Sequence, residues 1–204
     1  MIYELVAGTL AAYFLGNAVT QFSIVLGVYL SAMGVGASAS ARLGGRLTAR
    51  FVEVETAVAL LGGSSAALLF FAFARATSVG YFRVVLYGDV FVIGTLVGIE
   101  LPLLMRLLKE DLGFDESVVR GLTFDYVGSL VASVLFPLVL VPWLGLVRTA
   151  ALSGIVNALV AWAGARLLLP GKGRWARQVG SLAVAAALAM VIVYSRAIVQ
   201  ATAD

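Results

Sequence analysis

Carboxylic acids stand inside the apolar runs of this 204-residue chain at Glu4, Asp89, Glu100 and Asp125. An acid within a bilayer costs roughly 2.5–3.5 kcal/mol on insertion scales, so such residues usually mark an ion or substrate site. Glu4, Glu100 and Asp125 are expected at a similar depth, toward one side of the membrane. Together with Gln21, whose amide donates and accepts hydrogen bonds, they form the predicted polar site. An anionic cavity of this kind suits a cation such as a proton, a metal ion or a polyamine.

Glu100 has the most informative sequence context, Gly98-Ile99-Glu100-Leu101-Pro102. Pro102 removes the backbone donor that would pair with the carbonyl of Gly98, and it kinks the helix. A carboxylate beside a freed carbonyl is a plausible cation site at a broken helix, as in transporters. The alternative is a structural role, in which Glu100 pairs with Arg106 or with a neighbouring helix.

Ordinary structural roles are also open for the other acids. Asp89 can be solvated or paired with Arg83 near the outer interface, and Asp125 can form a local ion pair with Arg120. Glu4 lies near the start of its helix, from which its side chain can extend to the membrane interface.

Apolar helices must position these side chains. Apolar residues make up 62% of the chain and charged residues 12%, against roughly 25% charged in a soluble domain. Because a spanning helix needs about 20 mostly apolar residues, the sequence predicts an all-α, polytopic membrane bundle of about seven transmembrane helices, forming one domain over residues 1–204. The first helix, interrupted by Gly8, Gly16 and Asn17, is expected to be short or partly re-entrant. The predicted spans are Ile2–Val19, Phe22–Ala41, Val54–Ala74, Val84–Leu107, Val119–Trp143, Thr149–Leu169 and Val179–Val199.

The basic residues predict an orientation. Ten Lys and Arg residues follow the even-numbered spans and four follow the others. The positive-inside rule therefore places the even loops in the cytoplasm and the C-terminus outside, in what we expect to be a prokaryotic cytoplasmic membrane. Lipid headgroups explain the net charge of +3, so nucleic acid is not an expected partner. The stretch Gly44–Glu55, with arginines followed by Glu53 and Glu55, is interpreted as a solvated cytoplasmic turn.

The chain contains no Cys and no His. Disulfides, iron–sulfur clusters and thiolate metal sites are thereby excluded. The usual axial ligand of haem and the commonest general base are also missing. We predict no cofactor, no metal site and no catalytic residue within this sequence.

Small residues define one face of the second predicted helix. Gly27, Ser31, Gly34 and Ser38 recur at i, i+4, i+7 and i+11, and small residues let helix backbones approach closely in lipid. This face is interpreted as a packing surface within the bundle, and a substrate groove is the alternative.

A weak internal repeat relates residues 3–43 to residues 124–167. In each copy an acid opens the first helix, which ends at a Leu-Gly dipeptide containing Gly16 or Gly145. Parallel repeats about an axis along the membrane normal occur in transporters. Chance similarity is the competing explanation.

Several motifs resemble the membrane half of the spermidine synthase-like proteins, in which a polytopic domain precedes a polyamine aminopropyltransferase domain. The resemblance runs from residue 3 to about residue 160, and Glu4, Gln21, Glu100 and Asp125 occupy motif positions. The motifs are Tyr3-Glu4-Leu5, Val19-Thr20-Gln21-Phe22-Ser23, Gly98-Ile99-Glu100-Leu101-Pro102, Asp125-Tyr126-Val127-Gly128-Ser129-Leu130 and Pro142-Trp143-Leu144-Gly145.

The resemblance implies a membrane module without the soluble synthase domain, because no stretch of this sequence is typical of the catalytic half. Such a module is expected to dock or serve an aminopropyltransferase-like partner and to handle a cationic small molecule. Whether the chain takes part in catalysis stays open. The alternatives are a structural subunit of a larger membrane complex or homo-oligomer, and a transporter of small solutes or cations.

Overall fold

The computed structural model describes residues 1–200, with the side chains of all of these except 110–112, 114 and 172. The described residues are all-helical and contain no strand. The α-helices are α1 (Ile2–Leu15), α2 (Ala18–Ser40), α3 (Leu47–Ala74), α4 (Val79–Leu112), α5 (Phe114–Leu135), α6 (Val141–Leu168) and α7 (Lys172–Gln200), with a π-helical turn, Phe136–Leu140, between α5 and α6.

The number of helical segments differs from the seven expected. The fifth and sixth predicted helices belong to one continuous segment of 54 residues, Asp115–Leu168. Gly145 breaks the helical path inside it with φ 76° and ψ 172°, a conformation that glycine adopts readily. A single residue replaces the expected loop, so residues 1–200 form six helical segments. Five of these are long and apolar enough to cross a membrane.

α1 has 14 residues, short as expected, and it lies at the centre of the bundle. It packs against α2, α3, α4 and α6, and Val6 and Leu10 are completely buried. Near its end the ring of Phe14 stacks on Phe73 with centroids 3.9 Å apart and meets Phe82 edge-on. A helix that is apolar on every side is buried on every side, which explains the central position.

Glycines allow the close approach of α2 and α4. A Cβ atom on Gly36 would meet the backbone oxygen of Thr95, and one on Gly98 would meet the backbone of Met33. Two backbones in contact leave no room for a side chain, so these positions require glycine.

The small-residue face expected to pack within the bundle does not do so. Gly27, Ser31, Gly34 and Ser38 are exposed, and nothing lies within 4 Å of a Cβ built on Gly27 or Gly34. Small residues occur on both sides of α2, and the contact of Gly36 with α4 decides which side turns inward. The buried residues of α2 are Gln21, Val25, Tyr29, Ala32, Gly36 and Ser40.

α3 begins at Leu47, seven residues before the expected Val54. The stretch Gly44–Glu55 is therefore not a solvated turn, because most of it is the first two turns of a helix. Val52 is completely buried and Glu55 is 4% exposed. The apolar residues of this stretch pack into the bundle, and the charged residues that suggested a loop share the helix with them.

α3, α6 and α7 form the second packed group of helices. A Cβ on Gly154 of α6 would lie 2.7 Å from the Cα of Gly63 in α3. At one end of the group Arg177 of α7 binds Glu53 of α3 at 2.6 Å.

The predicted repeat stays a prediction. Gly16 (φ 71°, ψ −174°) and Gly145 (φ 76°, ψ 172°) break their helices in the same conformation. Gly113 has φ 81° and ψ 170° as well, so this conformation is not specific to the two repeat positions.

Candidate functional site

Two glutamic acids from neighbouring helices meet inside the bundle. Glu55 of α3 and Glu100 of α4 lie close enough for a hydrogen bond between their carboxyl groups. Oε2 of Glu55 is buried and has no hydrogen-bond partner. We call Glu55 and Glu100 the acidic pair.

A carboxylate has only acceptors, so a hydrogen bond between two carboxyl groups needs a proton on one of them. The expected ion pair between Glu100 and Arg106 is not formed. Nη1 of Arg106 instead donates to the backbone oxygens of Ser40 and Leu43, at 3.0 and 2.9 Å. Arginine near a helix C-terminus satisfies carbonyls that have no partner in the helix, and this role occupies Arg106 at the end of α2.

One member of the acidic pair, Glu100, lines a cleft between α4 and α5. The cleft encloses about 180 Å³, and its polar lining residues are Glu100 and Asp125. Asp125 is exposed and does not form the expected pair with Arg120, which binds Glu116 at 2.5 Å. Met33 and Leu101 form part of the apolar wall. The structure thus brings Glu100 and Asp125 to one opening, and their role as a polar site stays a prediction.

Glu4 lies deeper, in a second group of polar side chains. Glu4 is 9% exposed and lines a narrow crevice with Tyr29 and Asp89. The hydroxyl of Tyr29 and Oδ2 of Asp89 are buried without a hydrogen-bond partner. The expected pairing of Asp89 with Arg83 is therefore not observed at that oxygen.

Gln21 does not belong to either group. Its amide oxygen accepts a hydrogen bond from the hydroxyl of Tyr87 at 3.2 Å. Tyr87 and Glu100 are thirteen residues apart on α4, which corresponds to about 20 Å of helix. Gln21 therefore serves the contact between α2 and α4 at the far end of the bundle.

Glu55 is the residue of this site that sequence reasoning missed. Val52, Glu55 and Ala59 lie at i, i+3 and i+7 of one helix face, and all three are buried. If the helical periodicity of the apolar part of α3 is extended toward its N-terminus, Glu55 falls on the buried face. The neighbouring arginines and Glu53 masked that signal.

The acids do not form a metal site. Among the described residues, no three His, Cys, Asp or Glu side chains converge as a bound metal ion would require. A proton or an ammonium group needs fewer oxygen ligands, and the acidic pair with Asp125 can supply them. A larger cleft of about 420 Å³ lies beside Gly145 and Arg148 and contains none of the predicted site residues.

Most of the chain is similar to curated proteins that share one enzyme name. It is 48% identical over 161 residues to a protein of Leptospira interrogans named polyamine aminopropyltransferase, covering 79% of this chain and 32% of that protein. It is 52% identical over 163 residues to polyamine aminopropyltransferase 2 of Ralstonia nicotianae, covering 79% and 32%. It is 36% identical over 168 residues to the polyamine aminopropyltransferase of Mycobacterium tuberculosis H37Rv, again covering 79% and 32%.

The chain spans about a third of the length of the curated relatives that it matches. No family model and no solved structure matches it. The relationship predicted from the spermidine synthase-like motifs is nevertheless supported: 79% of this chain is homologous to one part of proteins named polyamine aminopropyltransferase.

Proposed function

We propose that this chain is a membrane-integral module that binds a cationic amine and serves an aminopropyltransferase-like catalytic unit. The observation that carries the proposal is the acidic pair, Glu55 and Glu100, of which Glu100 lines a cleft that Asp125 also lines. The name of the relatives indicates the class of amine, a polyamine.

Helix lengths support the membrane location. The 54-residue segment Asp115–Leu168 corresponds to about 80 Å of helix, whereas the apolar core of a bilayer is about 30 Å thick. Two crossings that reverse at Gly145 fit this length. Large apolar side chains such as Leu138 and Trp143 are exposed along the segment, at 67% and 82%, as expected for contact with lipid.

The charge distribution supports a cationic ligand. No basic side chain lines the cleft among the residues that the structure describes, and Arg106 and Arg120 have partners elsewhere. An amine that enters with its proton supplies the missing positive charge, and the shared proton of the acidic pair can leave in exchange. Either the proton or the protonated amine neutralises the buried carboxylate, so the free-energy cost of burying its charge stays low in both states.

A specific observation favours a second candidate, a structural subunit of a larger assembly. α5 packs within the chain mainly against α4 and α1. Its side chains Phe124, Tyr126 and Leu130 are 75%, 67% and 65% exposed. These exposed side chains fit contact with lipid or a partner helix, and a homo-oligomer would also cover them.

Native mass spectrometry of the complex purified in a mild detergent tests the partner. A stable complex with an aminopropyltransferase-like protein is the expected result. A homo-oligomer without that enzyme would contradict the proposal and direct the work to vesicle transport assays. Unrelated membrane proteins in fixed stoichiometry would support the structural subunit instead.

Calorimetric titration with spermidine tests the amine site on the purified chain. Glu100→Gln and Asp125→Asn should each weaken binding, because each removes one negative charge from the cleft. Glu116→Gln is the matched control, since Glu116 is an exposed acid paired with Arg120. Equal spermidine affinity in all three variants and the unmodified chain would refute the site.

A further inference from the structure

We propose that Glu4, Tyr29 and Asp89 form a buried proton-binding site that is separate from the acidic pair. The site is the crevice between α1, α2 and α4, and its ligand is a proton. This inference does not require that the chain bind an amine.

The crevice brings together polar groups that lack partners. Tyr29 is 3% exposed, and its hydroxyl lines the same crevice as the carboxyl group of Asp89. Neither that hydroxyl nor Oδ2 of Asp89 has a hydrogen-bond partner. Buried polar atoms in native proteins are nearly always paired, so two unpaired atoms on residues that line one crevice indicate groups that exchange partners.

The size of the crevice decides which ligand fits. It has no room for a water-sized sphere, so it excludes water and ammonium groups. Among the described residues, no three acids converge there as a bound metal ion would require. Its lining contains Glu4 and Asp89 but no Lys or Arg. An Asp89 carboxylate without a partner in such a dry place is costly, and taking up a proton removes the charge and creates a donor.

Two tyrosines of the crevice also interact with the acidic pair. Tyr29 interacts electrostatically with Glu4 and with Glu100, and Tyr3 interacts with Glu55 and with Tyr29. Both tyrosines are buried. A hydroxyl donates and accepts at once, so Tyr29 is suited to pass a proton between Asp89 and the cleft side. The titratable groups that face the crevice and its surroundings are the N-terminal amine, Tyr3 and Glu4 on α1, Tyr29 on α2, Glu55 on α3, Asp89 and Glu100 on α4, and Asp125 on α5.

Infrared spectroscopy of the chain in lipid nanodiscs tests the proposal directly. A protonated carboxylic acid has a C=O stretching band distinct from that of a carboxylate, and the band shifts in D₂O. We expect such a band at neutral pH, with loss of one component in Asp89→Asn or in Glu4→Gln. Asp115→Asn is the control, because Asp115 is exposed, and it should leave the band unchanged.

Tyr29→Phe keeps the ring and removes only the hydroxyl. This variant should retain the acid band, shift its frequency and slow its exchange in D₂O. Because it changes no charge, it still tests the site if the charge-changing variants misfold. A band that is insensitive to both Asp89→Asn and Glu4→Gln would overturn the proton site. Unchanged frequency and exchange in Tyr29→Phe would overturn the role of the hydroxyl.

Discussion

At the scale of single residues, the buried acids differ in what surrounds them. Glu55 and Glu100 contact each other, whereas Asp89 has an unpaired buried oxygen beside Tyr29. Glu100 and Asp89 stand in apolar runs, whereas Glu55 follows a stretch that contains Arg and Glu residues. The chemistry of each acid therefore depends on which neighbour the packing supplies: a second acid, or a tyrosine hydroxyl.

Glu55→Ala should destabilise the chain by about 1–3 kcal/mol, because it leaves the buried carboxyl group of Glu100 without its hydrogen-bond partner. The neighbouring Glu53→Ala removes a carboxylate that is 44% exposed and should cost less than about 1 kcal/mol. Reversible unfolding in mixed micelles measures both free energies. Equal stability of the two variants would mean that the acidic pair does not contribute to folding.

At the scale of elements, the contact of α2 with α4 depends on glycine. Gly36→Ala should destabilise by about 1–3 kcal/mol, because the added methyl group meets the backbone of α4 at Thr95 and Ile99. Gly34→Ala, two residues away on the open face, should be neutral or slightly stabilising, since alanine favours the helix. Thermal unfolding in detergent compares the two. The reverse order would show that the other face of α2 is the packed one.

The aromatic contacts near the C-terminal end of α1 allow a test of its central position. Phe14 contacts Phe70, Phe73 and Phe82, so Phe14→Ala should cost about 3–5 kcal/mol. Tyr13→Ala is the control, because Tyr13 is 76% exposed and its replacement should change stability by about 0.5 kcal/mol or less. The same unfolding assay applies. A small effect at Phe14 would argue against a central α1.

At the scale of the whole molecule, the orientation in the membrane is a prediction that the absence of Cys makes simple to test. Thr77→Cys lies between α3 and α4, and Gly44→Cys lies between α2 and α3. The positive-inside rule places Thr77 outside and Gly44 in the cytoplasm. A membrane-impermeant maleimide should label Thr77→Cys in intact cells and Gly44→Cys only after permeabilisation. The opposite labelling pattern would show that the chain has the reverse of the predicted orientation.

Most of the helix pattern was predictable, because apolar runs of about 20 residues have few stable structures other than a helix. The exceptions occur where local sequence and packing disagree. Polar residues near Glu55 suggested a loop, yet Val52 and Ala59 draw that stretch into the bundle. Gly145 replaces an expected loop, since one residue with a positive φ breaks the helical path without further residues.

The amino-acid sequence by itself determined the helical class, the acidic residues available for chemistry, the absence of thiol and imidazole ligands, and the relationship to polyamine aminopropyltransferases. These follow from composition and motifs, which are local. Only the tertiary structure decided that Glu100 meets Glu55, that Gln21 lies apart, and that Gly36 rather than Gly34 faces α4. The physical reason is that the rotation of each helix about its axis depends on how small residues on different helices fit together.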